Sequence, residues 1–144
     1  MRKPQSLLIQ GNGVIAIEYA TIFAEMGVPV TMISRKPKAD LLEQLDSALA
    51  KAVLGEMQDK GIEILFECSL KDIKVQENIA HITLDQSGQE VLKQVDVVLS
   101  AVGRVPFATD LGLETLEPED ASPKNQPPKK IETNSWLRML GKEE

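Results

Sequence analysis

The stretch SLLIQGNGVIAIEYATIFAEMGVPVTMIS, from Ser6 to Ser34, decides the fold that this sequence predicts. Its apolar beginning, Leu7 to Ile9, suits a buried parallel strand, and a glycine-rich turn follows directly. The next segment is too long for a strand and carries its polar residues at helical spacing, and Gly27 ends it. Val28 to Ile33 then resumes a β-branched apolar run. The stretch therefore predicts one βαβ unit, with its helix on one face of a parallel sheet.

The glycine turn between this strand and this helix suggests a chemistry. Gly11 can take the tight backbone conformation after the strand, and Gly13 lets the main chain approach a pyrophosphate. A helix that begins at Gly13 or Val14 points free N–H groups and a partial positive charge at that phosphate. Ala16 stands at the third position of the G-x-G-x-x-G/A pattern and still permits close helix–strand packing. The turn predicts a dinucleotide diphosphate site; a close-packed turn without a ligand is the alternative.

A basic turn follows the second strand. In NAD-binding turns an acidic residue at this distance accepts hydrogen bonds from the adenosine ribose 2′-hydroxyl. Ser34 stands there instead and brings no carboxylate to repel a phosphate, and Arg35 and Lys36 come next. A guanidinium and an ammonium group suit the 2′-phosphate of NADP. We therefore predict NADP(H) as the cofactor, with NAD(H) as an alternative; a solvated basic turn without a ligand is the less favoured reading.

The rest of the chain extends the pattern. A second helix is predicted from Leu42 to Lys60, and a third strand from Ile62 to Phe66. The residues expected on the half-buried face of that helix are Leu45, Leu49, Ala52, Val53 and Met57. Residues 70–95 alternate between apolar and polar and predict a three-stranded antiparallel meander, with His81 as an exposed strand histidine. Val95 to Ala101 is read as a further buried strand.

Composition narrows the class of protein. The 144 residues allow one domain with a substantial core, and the net charge of −6 argues against nucleic acid and anionic membranes as partners. Cys68 is the one cysteine, so the chain has no intrachain disulfide or cysteine zinc cluster, and we expect it to be buried at the end of a strand. We expect a soluble, cytoplasmic α/β domain, in which consecutive βα units form a parallel sheet.

The order of motifs resembles a known family. GxGxxA-x-E, a basic turn, a β-meander, D-x-V-x-x-A-x-G-R-x-P and D-L-G-L follow one another between Pro4 and Leu113. This order is similar to the nicotinamide-dinucleotide domain of the FAD-dependent pyridine nucleotide–disulfide oxidoreductases. That family includes dihydrolipoamide dehydrogenase, glutathione reductase, mercuric reductase and the soluble transhydrogenase. The resemblance implies a Rossmann-like three-layer fold, whose central parallel sheet has helices on one face and the three-stranded antiparallel meander on the other. It also implies a domain that binds a nicotinamide dinucleotide and presents it to FAD.

The resemblance also implies roles for individual residues. The implied cofactor-binding set is Gly11, Gly13, Val14, Ile15, Glu18, Ser34, Arg35, Lys36, Val102 and Gly103. Gly11 and Gly13 match the pyrophosphate turn, and Gly103 matches the glycine beside the nicotinamide ribose. Glu18 matches an acidic residue near the nicotinamide carboxamide that pairs with a lysine on the flavin side. An equally good reading of Glu18 is a solvated position in the polar stripe that it forms with Thr21 and Glu25.

The sequence departs from the family pattern in ways that bear on activity. Family members have an FAD fingerprint and a CxxxxC redox pair before this domain, and the sequence contains neither; one cysteine cannot form a dithiol couple. We expect no turnover by this chain alone, because FAD would belong to a missing parent domain. We predict a binding domain over residues 1–116 and, over residues 117–144, a proline-rich linker and the remnant of a return to the FAD domain. A non-catalytic interaction or regulatory module is the alternative.

Overall fold

The structure is a computed structural model that describes residues 3–40, 42 and 46–104. Two βα units come first, and a run of strands follows them. In chain order the elements are β1 (Leu7–Gln10), α1 (Val14–Glu25), β2 (Val30–Ile33), a short 3-10 turn (Lys38–Asp40), α2 (Ser47–Asp59), β3 (Glu63–Leu65), β4 (Cys68–Gln76), β5 (Ile79–Gln86), β6 (Gln89–Val95) and β7 (Val97–Ser100). The strands β2 and β3 are confirmed, although both are shorter than the predicted apolar runs.

Four strands form a parallel sheet in the order β3-β2-β1-β7. The chain builds outward from β1 to β3 on one side and then returns to β7 on the other side. The predicted buried strand from Val95 to Ala101 is wrong in its bounds, because Val95 ends β6 and β7 covers Val97–Ser100. It is wrong in burial as well, since each residue of β7 is half-buried or exposed, and Val97 is 42% exposed.

Alternate side chains of β1 enter two different cores. Leu7 and Ile9 pack with Ala16 and Ala20 of α1. Leu8 lies in a second cluster with residues of the meander, among them Ile82, Leu84 and Val95. Because successive strand residues point to opposite faces, β1 is covered by α1 on one face and by the meander on the other. The predicted three-layer α/β architecture is confirmed.

The start of α2 differs from the prediction. The helix begins at Ser47 rather than at Leu42, because Asp46 caps it: the Asp46 carboxylate accepts a hydrogen bond from the Ala48 backbone N–H at 2.8 Å. Leu42 lies in a turn with a φ of 52° and is still buried. An apolar residue placed at helical spacing can thus reach the core from a turn, which its spacing alone does not reveal.

The buried face of α2 also differs from the predicted stripe. Leu54 and Met57 are buried, and Val53 is half-buried beside them. Leu49, which was expected on this face, is 52% exposed, and Ala52 is also exposed. Leu45, the remaining member of the predicted face, lies outside the described residues.

Helix α1 carries an exposed apolar stripe that the sequence analysis did not predict. Ile15, Tyr19, Ile22 and Met26 follow one another at helical spacing, and each is between 44% and 53% exposed. The sequence indicated a polar stripe on this helix, and the apolar stripe lies next to it. We call these four residues the α1 apolar stripe.

The predicted antiparallel meander is confirmed as β4-β5-β6. His81 is half-buried rather than exposed, and it pairs in register with Lys74 on β4 and Gln94 on β6. Cys68, the first residue of β4, is buried as predicted, and burial is the main reason that the pKa of its thiol is raised.

Candidate functional site

Three strands of the parallel sheet end at the same level. Gln10 at the end of β1 is in register with Ile33 of β2 and with Ser100 of β7. Two backbone hydrogen bonds continue these pairings past the strand ends: Gly11 N–H donates to Ile33 O at 3.0 Å, and Ala101 N–H donates to Gln10 O at 2.8 Å. The chain leaves β1 in one direction toward β2 and reaches β7 from the other. This is the topological switch point at which open α/β sheets bind ligands.

Gly11 is required by the protein itself. Its φ is 138°, which L side chains rarely adopt. A Cβ atom at Gly11 would lie 2.9 Å from the carbonyl carbon of Ala101 and still closer to its oxygen. Gly11 therefore allows the ends of β1 and β7 to approach each other. The sequence did not predict that Ala101 contributes to this turn, because no local pattern connects Gly11 with Ala101.

Gly13 is in a different situation. It is the N-cap of α1 with φ −84° and ψ 177°, an extended conformation that any residue adopts. A Cβ atom built on Gly13 meets nothing within 4 Å among the described residues. The space beside the Gly13 Cα is therefore open, and a group bound next to the main chain would need this space.

The first turn of α1 presents backbone donors to this open space. Ile17 N–H donates to Gly13 O at 3.2 Å, so the N–H groups of residues 14–16 come before this bond and have no carbonyl of their own helix to bond to. Gly13 has no side chain to cap them, and the first turn has no acidic residue. Neither the cap nor the first turn therefore compensates the positive end of the helix dipole.

The predicted site residues at the start of α1 are exposed. Val14 is 53% exposed and Ile15 is 48% exposed, and Glu18 lies one turn further along the helix, also exposed. The helix places Val14 and Glu18 on one face, next to the open space at Gly13. The structure thus brings this part of the predicted set together.

The basic turn lies directly after the end of β2. Ser34 is only 3% exposed, whereas Arg35 and Lys36 are exposed. Within residues 3–40, 42 and 46–104, Arg35 forms no ion pair with a carboxylate. Because Gly11 bonds to Ile33 and Ser34 follows Ile33, the glycine turn and the basic turn lie at the same edge of the sheet.

The predicted nicotinamide end follows β7. Val102 is 59% exposed, and Gly103 is exposed with a φ of 112°. Ala101, bonded to Gln10, ties the start of this segment to the glycine turn. Val105, Pro106 and the D-L-G-L motif lie outside the described residues.

The described residues do not form a metal site or a membrane-spanning helix. Within the described part of the chain, His, Cys, Asp and Glu side chains form no group of three or more that could hold a metal ion. None of the described helices has the length and apolar character needed to cross a membrane.

Known proteins resemble this chain in both sequence and fold. Dihydrolipoyl dehydrogenase of Staphylococcus aureus is 34% identical over 113 residues, which cover 78% of this chain and 24% of that protein. The Cu(II) complex of the HOCl-induced flavoprotein disulfide reductase RclA from Escherichia coli superposes with a TM-score of 0.69 at 26% identity, over 83% of this chain and 26% of that one. LpdA from Mycobacterium tuberculosis shares the fold, with a TM-score of 0.75 at 20% identity over 97% of this chain and 28% of its own.

The family assignment rests on the match along the chain. This chain spans about a quarter of the length of the curated relatives that it matches. The family described as pyridine nucleotide-disulphide oxidoreductase matches residues 1–139. The chain therefore belongs to the pyridine nucleotide-disulphide oxidoreductase family, as the order of glycine turn, basic turn and meander had suggested.

Proposed function

We propose that this chain binds NADP(H) at the carboxyl edge of its parallel sheet, as the nicotinamide-dinucleotide domain of a flavin-dependent oxidoreductase. The observation that carries the proposal is Gly13: it caps α1 in an ordinary extended conformation, and no atom of the described residues lies within 4 Å of the Cβ position that it leaves empty. The proposal keeps the cytoplasmic location that the sequence suggested.

The diphosphate is assigned to the first turn of α1. Its N–H groups are donors, a phosphate oxygen is an acceptor, and the helix dipole favours negative charge at this end. The first turn offers these donors without a competing side-chain cap or carboxylate. Gly13 lets the phosphate come close to the main chain, since a side chain at this position would separate the two.

The adenosine end is assigned to the basic turn. A 2′-phosphate carries negative charge that Arg35 and Lys36 can meet with charge-assisted hydrogen bonds. Position 34, where NAD-binding turns hold a carboxylate, holds a serine in this chain. The preference for NADP(H) over NAD(H) is therefore assigned to this turn.

The nicotinamide end is assigned to Val102 and Gly103, with Glu18 near the carboxamide. FAD, held by the rest of a longer protein, would accept the hydride there, and the residues of this chain would bind and orient the nicotinamide. The final electron acceptor would be chosen outside this chain.

The proposal is tested by isothermal titration calorimetry of the full chain with NADPH, NADH and FAD. We expect saturable binding of NADPH, weaker binding of NADH and no binding of FAD. Absence of binding for both nicotinamide nucleotides would refute the proposal.

Replacing Arg35 by Glu tests the assignment of the adenosine end. Arg35→Glu puts a negative charge beside the 2′-phosphate, so we expect NADPH affinity to fall about 30-fold or more and NADH affinity to change by less than about threefold. Lys51→Glu, on the exposed face of α2, makes the same charge change away from the site and serves as the control. An equal loss for both nucleotides would contradict the 2′-phosphate assignment.

A second candidate function is a non-catalytic interaction module. The α1 apolar stripe favours it, because four large apolar side chains in one row are the kind of surface that a partner protein covers. A chain that binds no nucleotide, yet loses a partner when Ile22 is replaced by Asp, would support this alternative.

A further inference from the structure

We propose that Ser34 sets the preference for NADP(H) without touching the cofactor, by holding the basic turn in the shape that presents Arg35. This inference rests on the proposed function and names a positioning residue within it. It replaces the role of direct cofactor contact that the sequence suggested for Ser34.

The Ser34 hydroxyl both donates and accepts hydrogen bonds within its own turn. It accepts a hydrogen bond from Lys36 N–H at 3.1 Å and donates one to Lys36 O at 3.2 Å. One side chain thus closes the turn around Arg35 through both backbone polar groups of Lys36. Because the turn is held at Ser34 and at Lys36, the backbone of Arg35 between them has little freedom.

The same turn is also tied to the connection between β3 and β4. Ser34 N–H donates to Leu65 O at 2.9 Å, and Cys68 N–H donates to Ser34 O at 2.8 Å. Glu67 N–H reaches Lys36 O at 3.3 Å, so this carbonyl receives bonds from both the Ser34 hydroxyl and Glu67. The basic turn is therefore held from two sides.

These bonds leave the Ser34 hydroxyl unsuited to phosphate. A phosphate oxygen only accepts hydrogen bonds, and a serine has one hydrogen to donate, which Ser34 gives to Lys36 O. Ser34 is also 3% exposed, so a cofactor would have to displace the turn to reach it. Arg35 is exposed and is the group that the turn presents.

The experiment compares Ser34→Ala with the wild-type chain, with Ser6→Ala as the matched control. The Ser6 hydroxyl likewise accepts a backbone hydrogen bond, from Asp96 N–H at 3.0 Å, but it lies at the opposite end of the sheet. We expect Ser34→Ala to weaken NADPH about 3- to 10-fold, to leave NADH nearly unchanged and to speed amide hydrogen exchange of Lys36 in the ligand-free protein. Ser34→Thr, which keeps the hydroxyl, should restore both properties, and Ser6→Ala should change neither.

A double-mutant cycle with Arg35→Ala separates positioning from contact. If Ser34 acts through Arg35, adding Ser34→Ala to Arg35→Ala changes NADPH affinity no further. Additive losses would mean that Ser34 acts on NADPH affinity by a route other than Arg35 and would overturn the inference. Equal losses for NADPH and NADH, or no loss with Ser34→Ala, would overturn it too. A wild-type chain that binds neither nucleotide would refute the proposed function first, so the two failures are distinguishable.

Discussion

The two glycines of the turn after β1 should respond in opposite ways to the same substitution. Gly11→Ala should destabilise the fold, whereas Gly13→Ala should leave the fold intact and weaken nucleotide binding. The difference follows from what a Cβ atom meets at each position: Ala101 backbone at 2.9 Å or closer for Gly11, and open space for Gly13.

The expected magnitudes follow from this geometry. At Gly11 an alanine adopts a φ of 138° and also pushes against the main chain of Ala101, so we expect a loss of about 3 kcal/mol in the free energy of unfolding. A loss of that size lowers Tm by about 15 °C in a domain of this size. Gly13→Ala has two opposing effects: alanine is a weaker N-cap, which destabilises the fold, and it makes the unfolded chain less flexible, which stabilises the fold. The free energy of unfolding should therefore stay within about 1 kcal/mol of wild type.

Gly13→Ala should differ from Gly11→Ala in nucleotide binding as well as in stability. An alanine methyl group at Gly13 would stand between the diphosphate and the N–H groups of α1, so we expect NADPH affinity to fall about 10- to 100-fold. Urea unfolding followed by circular dichroism gives the stabilities, and calorimetric titration of the same samples gives the affinities. Wild-type affinity in Gly13→Ala would show that no diphosphate lies above Gly13, and wild-type stability in Gly11→Ala would refute the packing argument.

Three further expectations concern the scaffold. Leu84→Ala removes a fully buried side chain between the two sheets and should lower the free energy of unfolding, measured in urea, by about 2–5 kcal/mol. A loss below about 1 kcal/mol would mean that the surrounding core rearranges to fill the space. Burial acts to raise the pKa of Glu63, but hydrogen bonds from Lys93 and Thr31 outweigh burial and lower this pKa. The ionised Glu63 carboxylate therefore stabilises the fold at a pH above the ordinary carboxyl pKa. This stabilisation is lost as the pH falls through the pKa of the folded state. Glu63→Gln should therefore lower stability by up to about 0.5 kcal/mol at pH 7, and wild type and variant should become equal at acid pH; a gap that persists in acid would contradict the assignment. Cys68 is buried and its pKa is raised, so its thiol should react with a disulfide reagent only as fast as the domain opens. Rapid labelling of the native protein would contradict the burial of this thiol.

Local chemistry made much of the fold predictable. Apolar runs, the glycine turn and the alternation in residues 70–95 each encode one element, and their order allows few topologies. The residues at the start of α1 were also predictable as one group, because a strand–glycine–helix sequence can place them in only one way. The predicted start of α2 failed because an apolar residue contributes the same spacing whether it stands in a helix or, as Leu42 does, in a turn.

By itself, the sequence determined the order of strands and helices, the three layers and the edge of the sheet that carries the candidate site, because periodicity and turn residues act between near neighbours. Only the tertiary structure decided the separate roles of Gly11 and Gly13, since the main chain that Gly11 must avoid comes from β7. It also decided that the Ser34 hydroxyl faces its own turn and that the α1 apolar stripe is exposed. Periodicity shows that a face is apolar, but which part of the chain covers that face depends on contacts between distant residues.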